Sequence, residues 1–251
     1  MIEIVNLYKR FGTNFVLRGV NLTIKEGESL AIIGKSGCGK SVLLKHIVGL
    51  LQPDEGYIKF DGKIISELDR KDLYAIRRRF GFLFQGAALF DSMTVEENVS
   101  LALVENKTIY SKQNINDIVK EKLGLVGLPG IQNLKPSELS GGMKKRVALA
   151  RVLVTNPDYI LYDEPTTGLD PVMSDAIDDL IKSLNEKLKV TSIIVTHDMF
   201  SVKNTADKIA MMYEGKIYFC GTPRELIDST DPVVQKFIQR TGFLSSQEIN
   251  H

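Results

Sequence analysis

Between residues 29 and 51 the chain reads SLAIIGKSGCGKSVLLKHIVGLL, and no other stretch constrains the fold so tightly. An unbroken apolar run, Leu30 to Ile33, meets Gly34-Lys35-Ser36-Gly37-Cys38-Gly39-Lys40-Ser41. After it, Leu43, Leu44, Ile47, Val48 and Leu51 recur at helical spacing. The run suits a strand covered on both faces, and the spacing predicts a helix over 40–51. The glycine-rich segment between them fits G-x-x-x-x-G-K-[ST], a phosphate-binding loop. Glycines let backbone amides converge on phosphate oxygens, and the helix N-terminus adds its dipole. Lys40 brings a compact cation to the β- and γ-phosphates, and the Ser41 hydroxyl is placed to ligate Mg²⁺. The loop alone leaves kinases, GTPases and motor ATPases open.

Around it, short β-type segments at 2–7 and 15–24 alternate like a half-exposed antiparallel edge, and 57–65 carries an Asp61-Gly62 turn. A helix is expected over 67–79, leading into the strand FGFLF at 80–84. From about 94 to 139 the pattern is mostly helical and more polar, with Lys/Asn-rich breaks near 105–116. Strand–helix alternation then returns: a helix at about 141–154, strands at 159–163 and 191–196, a helix at 172–188 between them and a short helix from 198. Two strands follow, at 208–213 and 215–220. This order predicts an α/β fold with a mostly parallel core sheet. An N-terminal antiparallel β subdomain and an inserted helical subdomain over about 94–156 complete a single domain, 1–243, ending in a polar tail, 244–251.

YILYDEPTTGLDP, residues 159–171, runs an apolar strand into Asp163-Glu164. Such a strand can hold Asp163 beside the Mg²⁺ shell opposite Ser41, while Glu164 faces differently and could polarise an attacking water. Acidic residues also end strands simply because solvent begins there; pairing with the phosphate loop favours chemistry. Pro165 stops the strand just after the pair. ELSGGMKKRVALARVL, residues 138–153, opens a helix at Ser140 with Gly141 and Gly142, either a second anion site or a plain N-cap.

These motifs, in this order, resemble the ATP-binding cassette (ABC) ATPases, a P-loop NTPase family, along nearly the whole chain. Leu139-Ser140-Gly141-Gly142-Met143 is similar to the signature Leu-Ser-Gly-Gly-Gln, with Met143 in place of glutamine. The resemblance implies two chains docked head to tail, each signature closing over the other's γ-phosphate. It also implies roles for further residues. Phe11 would stack on adenine, unless it is an ordinary loop or core aromatic. Gln85 would touch Mg²⁺ and the lytic water, Asp170 would lie at the dimer seam, and His197 would contact the γ-phosphate. Catalysis would rest on Glu164, His197, Gln85 and Lys40. ATP would be held by Phe11, Gly34 to Ser41, Gln85, Asp163 and His197, with Ser41, Gln85 and Asp163 as Mg²⁺ ligands.

Composition fits a cassette working from the water side of a membrane. The chain is 43% hydrophobic with 32 basic and 31 acidic residues, so no basic field argues for nucleic acid. Two distant cysteines, Cys38 and Cys220, suit a reducing compartment. There is no export signal, and no apolar run reaches the length of about 18–20 residues that crosses a bilayer. Met143, LFQGAALFDSMTVEENV, YDEPTTGLDP and GTPRELIDSTDPVVQKFIQ together resemble the ATPases of Mla/Mce-type lipid transporters. That likeness implies a homodimer at the cytoplasmic face of the inner membrane. Its partners would be a permease of the MlaE type, a substrate-binding Mce protein of the MlaD type and possible small accessory proteins. The ATPase of another ABC system is the alternative, and a soluble, non-transport ABC ATPase a more distant one. The permease would dock beside Gln85, where Leu89, Phe90 and Met93 either pack inward or line the surface; periodicity does not separate the two.

Overall fold

The computed structural model describes residues 1–104 and 112–241, so the tail expected at 244–251 and most of the break expected near 105–116 lie outside it. β1 (Ile2–Phe11) and β2 (Asn14–Ile24) pair antiparallel, Ile2 opposite Ile24 and Ile4 opposite Leu22. β3 (Ser29–Gly34) is buried at every residue, as its unbroken apolar run requires. α1 (Lys40–Ile47) follows and ends earlier than its spacing predicts. Gly49 sits at φ 68 and its N–H bonds to His46 O, while the Leu50 N–H bonds to Lys45 O at 2.8 Å. Those two bonds close the helix end in a Schellman turn, which only glycine enters without strain.

β4 (Glu55–Phe60) and β5 (Lys63–Ile64) join through Asp61 and Gly62, both at positive φ, the hairpin turn that dipeptide favours. Together these make a four-stranded antiparallel sheet in the order β2-β1-β4-β5. α2 (Arg70–Arg77) starts later than 67 because Asp69 caps it, accepting from Asp72 N at 2.7 Å. β6 (Phe80–Leu83), α3 (Val95–Val104), α4 (Lys112–Leu125) and α5 (Gly141–Leu153) come next. Then follow β7 (Tyr159–Asp163), α6 (Pro171–Leu188), β8 (Thr191–Val195) and α7 (Met199–Thr205). β9 (Lys208–Tyr213), β10 (Lys216–Gly221), α8 (Pro223–Ile227) and α9 (Pro232–Thr241) finish the described chain.

The second sheet has the order β10-β9-β3-β8-β7-β6, parallel except for the β9–β10 hairpin. Period-two side chains of its strands feed separate cores. Leu30 and Ile32 of β3 pack with Leu161 and Val195 against α1 and the antiparallel sheet, while Ala31 and Ile33 pack against α7, α8 and α9. Ile160 and Tyr162 of β7 point instead toward α3 to α6. Each fully buried Leu or Ile stabilises the fold by roughly 1.5–3 kcal/mol, so three cores clamp this sheet in place. Its parallel strands therefore deliver their C-terminal ends to one edge, where α/β sheets bind ligands.

Candidate active site

Four of those strand ends carry the sequence-predicted residues. β3 runs into Gly34, β6 into Gln85, β7 into Asp163 and Glu164, and β8 into His197. Phe11, Gly34, Lys35, Ser36, Gly37, Gly39, Lys40, Ser41, Gln85, Glu164 and His197 all line one cavity of ≈ 1130 Å³. Cys38 faces a neighbouring hollow; its thiol packs against the first core, and burial pushes it up, keeping it neutral. Asp170 and Ser140 to Met143 are absent from the cavity wall.

The loop geometry depends on glycine where backbones crowd. A Cβ on Gly34 would meet Met212 O at 2.5 Å, and its φ of 150 favours glycine besides. Gly39, at φ 106, would push a Cβ to 3.0 Å from Val16 O. Lys40 is buried and folds back over the loop, donating to Gly34 O at 2.9 Å and Lys35 O at 3.2 Å. Ser41 Oγ donates to Asp163 Oδ1 at 2.9 Å. Burial raises the Asp163 carboxyl above the usual range; Glu164 adds to this, and the Ser41 bond, Lys45 and Lys40 oppose it.

Glu164 departs from the strand at φ 52, a left-handed conformation rare for glutamate, with its N–H held by Val195 O at 2.8 Å. Strain of this kind costs on the order of 1–3 kcal/mol and is found where a side chain must be aimed. Its Oε2 lies 2.8 Å from His197 Nδ1 and accepts from Thr167 Oγ1 at 3.1 Å. Ser140 is exposed and caps α5, accepting from Met143 N at 3.3 Å, while the Met143 side chain packs into the second core. Asp170 caps α6 through Met173 N at 2.9 Å.

Several wall residues carry no sequence motif: Val16 and Tyr213 from flanking strands, and Lys236 and Arg240 one turn apart on α9. Lys145 is also new; it is buried and donates to Gln85 O. Burial pulls its ammonium below the usual lysine range, against the pull of Asp163 and Glu164. A signal did exist, because Gly142, Lys145, Leu149 and Val152 form one buried stripe on α5, and a charge on such a stripe asks for a partner. Among the wall positions near Gln85, Phe84 and Phe90 are exposed, whereas Leu89 packs into the second core and Met93 is half-buried. With Phe80, Phe82, Ala88 and Arg151 the two exposed rings line a groove of ≈ 410 Å³.

The ABC transporter family model matches residues 17–167. An intermembrane phospholipid transport system ATP-binding protein, MlaF of Haemophilus influenzae, is 43% identical over 239 residues, covering 95% of this chain and 90% of that protein. A probable ribonucleotide transport ATP-binding protein, mkl of Mycobacterium tuberculosis, is 44% identical over 98% of this chain and 69% of its own length. Among solved structures, a dimeric ATP-binding cassette, MJ0796 in a post-hydrolysis state bound to ADP and Pi, aligns with TM-score 0.80 and 36% identity. That alignment covers 88% of this chain and 98% of the other.

Proposed function

This chain belongs to the ATP-binding subunits of ABC transporters, and on that premise we propose that two copies close head to tail over two nucleotides to drive a phospholipid permease. It hydrolyses ATP to ADP and phosphate. The observation that carries the two-chain reading is a separation: the Ser140 helix end lies outside the cavity that gathers Lys40, Gln85, Glu164 and His197. On this reading that helix end, exposed at Ser140 and Gly141, is an anion site away from its own chain's phosphate loop, and a second copy would supply the phosphate. The dimeric relative supports this arrangement.

Mg²⁺ is a hard cation that takes oxygen ligands, and the paired Ser41 hydroxyl and Asp163 carboxylate fit it. They would hold it, with Gln85 facing the same cavity; when bound, it neutralises charge on the phosphate oxygens. In the reaction the water oxygen bonds to the γ-phosphorus as the bridging bond to ADP breaks. Glu164 orients and polarises that water, with His197 steering its carboxylate. Lys40 and the loop amides hold the charge that develops on the transferred group. Glu164→Gln is expected to keep MgATP binding within about twofold while lowering turnover about 10²–10³-fold, read by nucleotide titration beside an ATPase assay. Near-normal hydrolysis would remove Glu164 from this role.

The permease is proposed to seat on the groove of Phe84 and Phe90, next to Gln85. No helix among the described residues is long and apolar enough to cross a membrane; a peripheral place at the cytoplasmic face is part of the proposal. Phospholipid as cargo rests on the MlaF relative, whose alignment spans nearly both chains; the Mce-type substrate-binding partner rests on the sequence resemblance alone. Reconstitution of the co-purified complex with fluorescent phospholipid tests it: ATP-dependent transfer is expected, and transfer indifferent to ATP would refute it.

A further inference from the structure

Between Phe84 and Phe90 the backbone takes a shape it would not choose alone. Ala87 and Ala88 both sit in the left-handed region, at φ 60 and 51. For L-residues that costs roughly 1–2 kcal/mol each, so something must hold the turn. One bond is local, Ala87 N to Phe84 O at 3.0 Å. Asn98 of α3 ties the far end at Phe90, and the bonds to the Gln85, Ala87 and Ala88 carbonyls come from a single helix: Lys145 Nζ donates to Gln85 O, Arg151 Nη2 to Ala87 O at 2.8 Å and Arg151 Nη1 to Ala88 O at 2.7 Å. Two cations of α5 thus take three carbonyls within four residues.

Packing does not explain why these positions carry charge. Lys145 lies on the buried stripe of α5 between Gly142 and Leu149, where a methionine would fill the space without the cost of desolvating an ammonium. Arg151 spreads its fork across neighbouring carbonyls, a geometry lysine cannot reproduce. The placement of the fastened segment matters as much. Gln85 faces the nucleotide cavity, while Ala88 and Arg151 line the groove of Phe84 and Phe90. The α5 helix begins at Gly141, just after its cap Ser140, and at about 1.5 Å per residue Lys145 lies only about 6 Å along the axis from that start.

We propose that Lys145 and Arg151 are positioning residues that fasten the Gln85–Ala88 segment to α5, so that the helix end closing on the partner's nucleotide carries with it the segment facing its own. This inference rests on the two-chain reading above. A shift of Ser140 as the dimer closes is then transmitted, within one rigid helix, to Gln85 and to the permease groove. The two nucleotide sites and the groove become coupled through one bistable element.

A double-mutant cycle on the full-length purified chain tests the link, with Ser140→Ala and Lys145→Met measured singly and together by steady-state ATPase. Each single change is expected to lower kcat about tenfold with KM for ATP within twofold, and the pair to be no more than about twofold slower than the slower single. Lys145→Arg should recover at least half of the lost kcat. An additive pair, about a hundredfold slower, would overturn the link while leaving the two-chain reading intact; so would Lys145→Met with wild-type kcat, or with only a lowered Tm. A silent Ser140→Ala would instead sink the two-chain reading, and the link with it. Should Lys145→Met fail to fold, Arg151→Lys, which keeps charge but loses the fork, takes its place in the same cycle with the same expectations.

Discussion

On the proposed reading, Lys40 serves both the folded loop and the reaction. Its ammonium donates to Gly34 O and Lys35 O within the loop. Phosphate oxygens offer the same cation a charged acceptor, and charge-assisted bonds are roughly twice as strong as neutral ones. Lys40→Ala is expected to weaken nucleotide binding by about 2–4 kcal/mol, some 30- to 1000-fold, in a calorimetric titration; an unchanged Kd would remove the lysine from the phosphate site. Lys40 was legible in the sequence because everything that defines it lies within eight residues. For Lys145 the stripe on α5 signals that a partner is needed but not which one, because its acceptor at Gln85 is 60 positions away and no local pattern encodes that meeting. The contact between His197 and Glu164 was half legible: the types and strand ends were readable, the 2.8 Å approach was not.

Elements are placed by their caps and by the few polar groups buried between them. α1 was readable as a helix, yet its spacing ran on through Leu51, since apolar periodicity does not see the Gly49 turn that stops it. On α6, facing α7, is a buried carboxyl, Asp178, whose Oδ2 accepts from Ser201 Oγ at 2.6 Å while Oδ1 has no partner among the described residues. Burial raises it to about 6; the Ser201 bond opposes this, and Asp198, Asp175 and Asp179 add to it. The folded molecule therefore holds this proton where an unfolded chain has lost it. The stability so gained is full below the ordinary carboxylate range and is lost as pH rises through about 6. Asp178→Asn, neutral at every pH, should raise thermal stability at pH 7.5 by on the order of 1–2 kcal/mol and lose that advantage toward pH 4.5. Melting curves across this range check it; a gain that does not shrink on acidification would refute the buried-charge account.

At the scale of the whole molecule, strand order accounts for the site. Parallel strands bring Gly34, Gln85, Asp163 and His197 to one edge although they are spread over most of the chain, and the alternation that predicts such a sheet was plain in the sequence. Ser140, by contrast, lies outside the cavity of its own chain. Binding and closure are therefore separate events with separate observables. At a hundredfold excess over Kd, a ligand stabilises the fold by about 2.7 kcal/mol, which for a chain of this size raises Tm by roughly 5–10 °C. That shift needs only the cavity within one chain. On the proposed two-chain reading closure needs Ser140, which is exposed, so Ser140→Arg should cost little beyond its cap, about 1 kcal/mol. In a Glu164→Gln background, which retains bound ATP, MgATP should still raise Tm with Ser140→Arg, by less than with Ser140 intact because a dimer adds its own stabilisation. Light scattering should then find a dimer only where Ser140 is intact, because an arginine side chain fills the space into which the second chain's phosphates must come. Dimers persisting in Ser140→Arg would place the seam elsewhere, and an ATP shift lost along with them would mean that the nucleotide is held by two chains from the start.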